Sequence, residues 1–244
     1  MRRGVLFLLC LMTGLPLLGA TQGKDRLIGT SPENALHPPF KKQVKIPIIV
    51  LDPGHGGEDF GAVSEEGLKE KEVTLDIAQK TRECLEHLGF VVILTRTADE
   101  YVSLQDRARM CREMEGDLFV SIHANAAANK EATGFETFLV SPNPNFRGIE
   151  KYGFFTYFSL NSVGRKSLSL AKMIQKEMVA ITGGVDRGVK LAQFRVLRET
   201  EVPGVLVETG FLSNKAEALA LADNSYRTKV ALALAKSVQR FKSR

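Results

Sequence analysis

Three cysteines in 244 residues, none in a C-x-x-C pair, leave this chain without a thiolate cluster or a dithiol redox motif. Cys84 and Cys111 lie in helix-like segments with hydrophobic neighbours and read as buried thiols, although export would permit a disulfide between them. The charge excess is small, +5, and no basic stripe is interleaved with aromatics, so no nucleic acid partner is expected. An anionic polymer stays compatible with that charge. No internal repeat of useful period is present. Histidine is scarce as well, only four in the chain, which makes the position of each informative.

The apolar stretch from Gly4 to Gly19 follows Arg2-Arg3 and precedes Ala20-Thr21-Gln22. This pattern predicts a cleavable export signal over residues 1–20. Gly14 and Pro16 interrupt the run, and a membrane span needs about 20 apolar residues, so an integral membrane protein is not expected. Too few residues precede Cys10 for it to serve as a lipid-attachment site. Residues 21–43, with Gly23, Gly29, Pro32, Pro38 and Pro39 among polar residues, suit a linker, and His37 falls within it.

From residue 44 to 244 the pattern predicts a single α/β domain. Strands are expected at 46–52, 90–95, 118–123, 134–140, 194–197 and 204–208. Helices are expected at 72–88, 103–115, 167–182, 215–222 and 226–241. The β-α-β-α-β opening argues for a mostly parallel or mixed twisted sheet of about six strands with helices on both faces. Residues 142–165, rich in Pro, Asn and Gly and carrying Tyr152, Phe154, Phe155, Tyr157 and Phe158, read as an insertion.

Ligands in open α/β sheets bind beyond the carboxyl ends of the strands. His55 follows the first strand in a glycine-rich turn, His123 ends the strand at 118–123, and Glu208 ends the strand at 204–208. Glu70 stands just before the first helix. Its helical phase is shared with Val73, Ile77, Cys84 and Leu88, so it should point inward, whereas Glu72 shares the wet face of Asp76, Gln79 and Glu83. An unpaired buried carboxylate costs several kcal/mol, on the order of the penalty for one ion. A metal would be its partner. His55, Glu70 and His123 make a two-histidine, one-carboxylate set that suits one Zn2+ with an open position for water. The blander possibilities are a hydrogen-bonded structural histidine at either site and a dipole-pairing role for Glu70. Glu208 reads as the catalytic general base, with a fourth metal ligand as its rival role. His87, near the end of the first helix, reads as a surface residue.

Five ordered blocks now carry a resemblance: Leu51-Asp52-Pro53-Gly54-His55-Gly56-Gly57, Gly67-Leu68-Lys69-Glu70-Lys71, Thr95-Arg96 with Leu104 to Arg107, Ser121-Ile122-His123-Ala124-Asn125, and Val207-Glu208-Thr209-Gly210-Phe211-Leu212-Ser213-Asn214. Over roughly Ile46 to Phe241 the chain resembles the zinc-dependent N-acetylmuramoyl-L-alanine amidases of bacterial cell walls. The resemblance implies hydrolysis of the amide between N-acetylmuramic acid and L-alanine in peptidoglycan, in wall remodelling or daughter-cell separation. His55, Glu70 and His123 would be the zinc ligands and Glu208 the catalytic residue. Arg107 and Asn125 fall in the matched blocks but read here as a helix-surface ion pair and a turn amide.

Some members of the family carry an extra helix that blocks the zinc until a partner removes it. Residues 142–165 hold a comparable place in chain order, so a protein activator acting there, with Glu150 plugging the metal, is a further expectation. Ser169 and Lys172 fit S-x-x-K, and Ser159-Leu160-Asn161 resembles S-x-N, but no K-T-G triplet accompanies them, which leaves a serine carboxypeptidase-like activity as a minor possibility. A non-catalytic peptidoglycan-binding module on the same scaffold would also fit these residues, as would a zinc peptidase or deacetylase. No separate wall-binding repeat is visible, which favours a periplasmic over an extracellular location.

Overall fold

The computed structural model describes residues 45–243. The export signal, the linker, Cys10 and His37 therefore lie outside the described residues. The chain order is β1 (Ile48–Pro53), α1 (Glu70–His87), β2 (Val91–Leu94), α2 (Leu104–Glu113), β3 (Leu118–Asn125), β4 (Phe135–Val140), β5 (Glu150–Lys151), α3 (Phe154–Ser159), α4 (Ser162–Thr182), β6 (Asp186–Ala192), α5 (Arg195–Arg198), β7 (Gly204–Phe211), α6 (Lys215–Ala222) and α7 (Asn224–Lys242). Among the described residues no helix is long and apolar enough to cross a membrane.

One mixed seven-stranded sheet carries everything, in the order β2-β1-β3-β7-β4-β6-β5. The first four are parallel, β4 runs antiparallel to β7, β6 is parallel to β4, and β5 pairs antiparallel at the edge. The central strands read as continuous apolar runs because both of their faces are buried. Alternate residues feed two cores. Ile49, Leu51, Val120, Ile122, Val205 and Val207 pack under α1, α4, α6 and α7, while Val50, Phe119, Leu206 and Phe138 meet Cys111 of α2 and Val196 and Leu197 of α5. By the two-residue period of a strand, Asp52, Ser121, His123 and Glu208 fall on the second face.

Several boundaries depart from the sequence expectation; β3 and β7 run past His123 and Glu208 to Asn125 and Phe211, so these two residues lie near strand ends and do not terminate them. Helix α1 begins at Glu70, two residues early, so Glu70 is its first residue and does not precede it. Helix α4 begins at Ser162, because Asn161 Oδ1 accepts the Gly164 amide at 2.8 Å and caps it inside the expected insertion. Residues 195–198 form a helical turn where a strand was expected, since two adjacent buried apolar residues, Val196 and Leu197, carry no period of their own. Strand β6 has no counterpart among the expected elements because Gly188 and three charged residues break its apolar pattern. Cys84 and Cys111 are both free and pack against different cores, so the disulfide does not form.

Candidate metal centre

The turn after β1 is held by two buried arginines. Pro53 O accepts from Arg96 Nε at 3.0 Å and Arg107 Nη1 at 2.6 Å, Gly54 O from Arg96 Nη2 at 3.0 Å and Thr74 Oγ1 at 2.8 Å, and His55 O from Arg107 Nη2 at 2.7 Å. His55 itself takes a left-handed backbone conformation, φ 61°, which those three carbonyl anchors hold in place. Arg107 is thus no surface residue: it is 3% exposed and donates to Asp52 Oδ1 at 2.7 Å. Asp52 also accepts from Thr95 at 2.6 Å and Ser121 at 2.7 Å. Burial works to raise the Asp52 pKa, but the Arg107 charge and these hydrogen bonds hold it below the usual carboxylate range.

The three expected ligands converge. Glu70 Oε1 lies 3.2 Å from His55 Nε2 and 2.8 Å from His123 Nδ1, and the three candidate ligand atoms all fall within 4.8 Å of one another. Glu70 is 5% exposed. Its carboxylate is oriented by two amides, Ala124 N on Oε1 at 3.0 Å and Ala62 N on Oε2 at 2.8 Å. His55 Nδ1 meets Asp59 Oδ2 at 2.8 Å, which fixes the ring with Nε2 facing Glu70. Burial opposes charge on His55, yet hydrogen bonds and attraction from Glu70 and Asp59 raise its pKa to about 9, and His123 is raised by Glu70 against a similar burial penalty. Glu70 is driven far below its ordinary value by the same histidines, against a burial effect of opposite sign. The two imidazoles converge on one carboxylate, in the place a divalent ion would fill. Two nitrogens and one oxygen, converging and desolvated, can hold a metal ion and suit zinc.

Close packing at two glycines makes the convergence possible. A Cβ on Gly54 would lie 2.4 Å from the His123 ring, and one on Gly61, whose φ is +65°, would meet Glu70 Oε2 at 2.5 Å. Gly54→Ala is expected to push the His123 imidazole aside and lower bound metal to well under one equivalent while the fold persists. Metal analysis beside circular dichroism checks it, and a fully loaded variant contradicts it.

Glu208 stands next to His123 in the β3/β7 register. Its Oε2 is sealed from solvent and has no hydrogen-bond partner among the described residues. Burial, reinforced by Glu70 and Glu136 and opposed by His123, pushes its pKa up to about 7. A carboxylate with an unused oxygen and a pKa near neutrality can accept and return a proton. A small cavity of about 70 Å3 opens onto His55, Asp59, Tyr101, Arg107 and His123.

Asn125 is at the end of β3 and not in a turn; its Nδ2 donates to Glu136 Oε2 at 3.3 Å. Glu150 is exposed in the edge strand β5, three strand positions beyond β7, about 14 Å at ~4.8 Å per strand. It does not plug the metal group. The S-x-N element is spent on capping α4, and the Lys172 ammonium sits 5.0 Å above the Tyr152 ring, so a serine-based activity finds no support. Asp59, Asp52, Arg96 and Glu136 were not visible as site residues in the sequence. Glu136 alone left a signal, a carboxylate between Phe135 and Phe138 in an apolar strand.

A pair of imidazoles and a carboxylate beside a second, desolvated carboxylate, toward the carboxyl ends of parallel strands, give this α/β protein a group that could hold a metal ion. Residues 49–240 match the family model described as N-acetylmuramoyl-L-alanine amidase. The chain is 36% identical over 80% of its length to the amidase AmiC of Neisseria meningitidis serogroup B, and 33% identical over 93% of its length to the amidase AmiA of Escherichia coli K12. It spans 52% of the former, about half, and 87% of the latter. The CwlD amidase of Clostridioides difficile, solved in complex with the GerS lipoprotein, superposes with a TM-score of 0.69 at 30% identity, over 81% of this chain and 98% of that one. The chain belongs to the N-acetylmuramoyl-L-alanine amidase family.

Proposed function

We propose that this protein is an exported amidase that uses one Zn2+, held by His55, Glu70 and His123, to hydrolyse the amide between the lactyl group of N-acetylmuramic acid and the L-alanine of the peptidoglycan stem. The observation that carries this reading is the convergence of those three ligand atoms next to the unpartnered oxygen of Glu208. Zinc, when bound, supplies Lewis acidity that polarises a carbonyl and brings the pKa of water to about 7. Asp59 and the two arginines keep the His55 ring in place. Glu208 takes the proton of the attacking water at Oε2 and returns it to the leaving nitrogen, giving a muramic-acid carboxylate and a free stem-peptide amine. Its burial beside Glu136 raises its basicity to match that task.

The periplasm is the proposed place of action, with the cell exterior as the alternative. A protein activator docking on residues 142–165 is the proposed partner; since Glu150 lies away from the metal group, it would act on that segment without extracting a plug. Purified protein incubated with sacculi should release stem peptides, stop with a chelator and resume on zinc addition, as read by mass. Release of acetate or of internally cleaved peptide would point to a deacetylase or a peptidase.

Proton competition sets the pH dependence of the metal. The His55 proton is held until about pH 9 in the metal-free protein, and zinc needs the neutral ring, so affinity should climb from pH 6 to 9, by up to ~10-fold per unit for each proton displaced. The stability that His55 lends the metal-free fold is complete below about 6.5 and fades as pH rises through about 9; that from Glu70 is present above about 4.5 and lost on acidification. The metal-free protein should therefore melt highest between those limits. Competition with a chromophoric chelator across this range checks the first statement, and a flat affinity contradicts it.

A further inference from the structure

Glu136 and Glu208 are directly opposite each other in the antiparallel β4/β7 pair, on the same face of the sheet. Like charges so placed repel. Two cations from β6 relieve the repulsion: Arg187 Nε and Lys190 Nζ each lie 2.5 Å from Glu136 Oε1. Arg187 spends Nε on Glu136 and Nη1 on Thr133 O at 3.3 Å, which leaves Nη2 for a further acceptor. The Arg187 side chain is 35% exposed and rests with its guanidinium carbon 4.9 Å from the centre of the Phe211 ring, so the cation is both fixed and within reach of solvent.

Strand order gives these groups a direction. His55 follows β1 and His123 lies in β3, the proposed proton carrier belongs to β7, Glu136 to β4, and the cations to β6. Glu208 must lie beside the leaving nitrogen to protonate it. A leaving peptide that runs along the strand order away from the histidines extends toward Glu136 and the β6 cations. A carboxylate attached to the Cα of the residue after the scissile nitrogen's own lies up to ~7 Å from that nitrogen, from one Cα–Cα step of 3.8 Å and two flanking bonds. Strand β6 is two spacings from β7, about 10 Å at ~4.8 Å each, and the Arg187 side chain reaches back to Glu136 in the intervening strand, which narrows that gap toward the same length.

We propose that Arg187, steadied by Glu136 and assisted by Lys190, is a specificity-determining residue that reads a free α-carboxylate on the second residue of the stem peptide. This rests on the amidase reading above. A carboxylate there gains a charge-assisted hydrogen bond from the guanidinium, whereas an α-amide offers only a neutral acceptor and so a weaker bond.

Soluble glycan strands whose stems differ only in carrying a carboxylate or an amide at that position provide the test. The zinc-loaded protein should prefer the carboxylate form at least tenfold in kcat/KM, chiefly through KM. Arg187→Gln should bring the ratio close to one, and Arg187→Lys should restore part of it, with zinc content and circular dichroism followed in each. Loss of activity on both substrates with the ratio preserved assigns Arg187 to structure alone and overturns the proposal. Equal cleavage of both forms by the parent protein also overturns it, while leaving the amidase reading standing. Cleavage of neither form removes both.

Discussion

Glu208→Ala is expected to keep its zinc and lose turnover by about 10²- to 10⁴-fold, the range that one positioned acid–base group supplies. The reason is positional. Glu208 sits beside His123 in register but contributes no atom to the cluster of three candidate ligands, and its Oε2 has no other partner to serve. Removing it leaves His55, Glu70 and His123 with all of their own contacts. It also removes a desolvated carboxylate whose pKa is already pushed up to about 7, so the fold should be no less stable for the change. Zinc analysis together with stem-peptide release from sacculi separates the outcomes. A variant that loses zinc along with activity would make Glu208 a fourth ligand, and one that keeps turnover would remove it from the mechanism.

The second large effect is on stability. Arg107→Met should lower the melting temperature by roughly 6–20 °C, because stranding a buried charge costs ~3–5 kcal/mol and a domain of this size loses ~2–4 °C per kcal/mol. Asp52, 1% exposed, keeps only Thr95 and Ser121 once the guanidinium is gone. Pro53 O and His55 O lose donors at the same time, so the His55 turn loosens and zinc affinity should fall too. A double variant, Asp52→Leu with Arg107→Met, removes both charges and should recover part of the melting temperature but not the zinc affinity. Thermal denaturation of the chelator-treated protein tests the claim free of metal. An unchanged melting temperature in the single variant would mean that the buried pair contributes nothing net.

These two residues differ in how readable they were. Glu208 announced itself, since a carboxylate that ends an apolar strand must be paired or used. His55, just after β1, and His123, near the end of β3, did the same, and the inward phase of Glu70 followed from helical spacing, although the helix starts two residues earlier than expected. Arg107 looked like a surface cation because its neighbours Asp106 and Arg109 are polar, and only one face of a short helix meets the sheet. Its burial came from a partner 55 positions away, which local periodicity does not encode. The same is true of Glu136, which becomes a neighbour of Glu208 only through the antiparallel register of β4. The short helix α5 failed in the opposite way: its apolar pair was legible, but four residues do not reveal a period.

By itself the amino-acid order determined the alternation of strands and helices, the positions of two histidines and a glutamate at strand ends, and the inward face of Glu70, because these follow from periods of two and 3.6 residues acting over a few turns. The tertiary structure alone decided how the turn carrying His55 is clamped by Arg96 and Arg107, how Asp59 aims the ring, and how Arg187 and Lys190 come to flank the pair of opposed glutamates. Those contacts join segments far apart in the chain, and their distances are set by strand order and register, which the packing of two cores on one sheet selects.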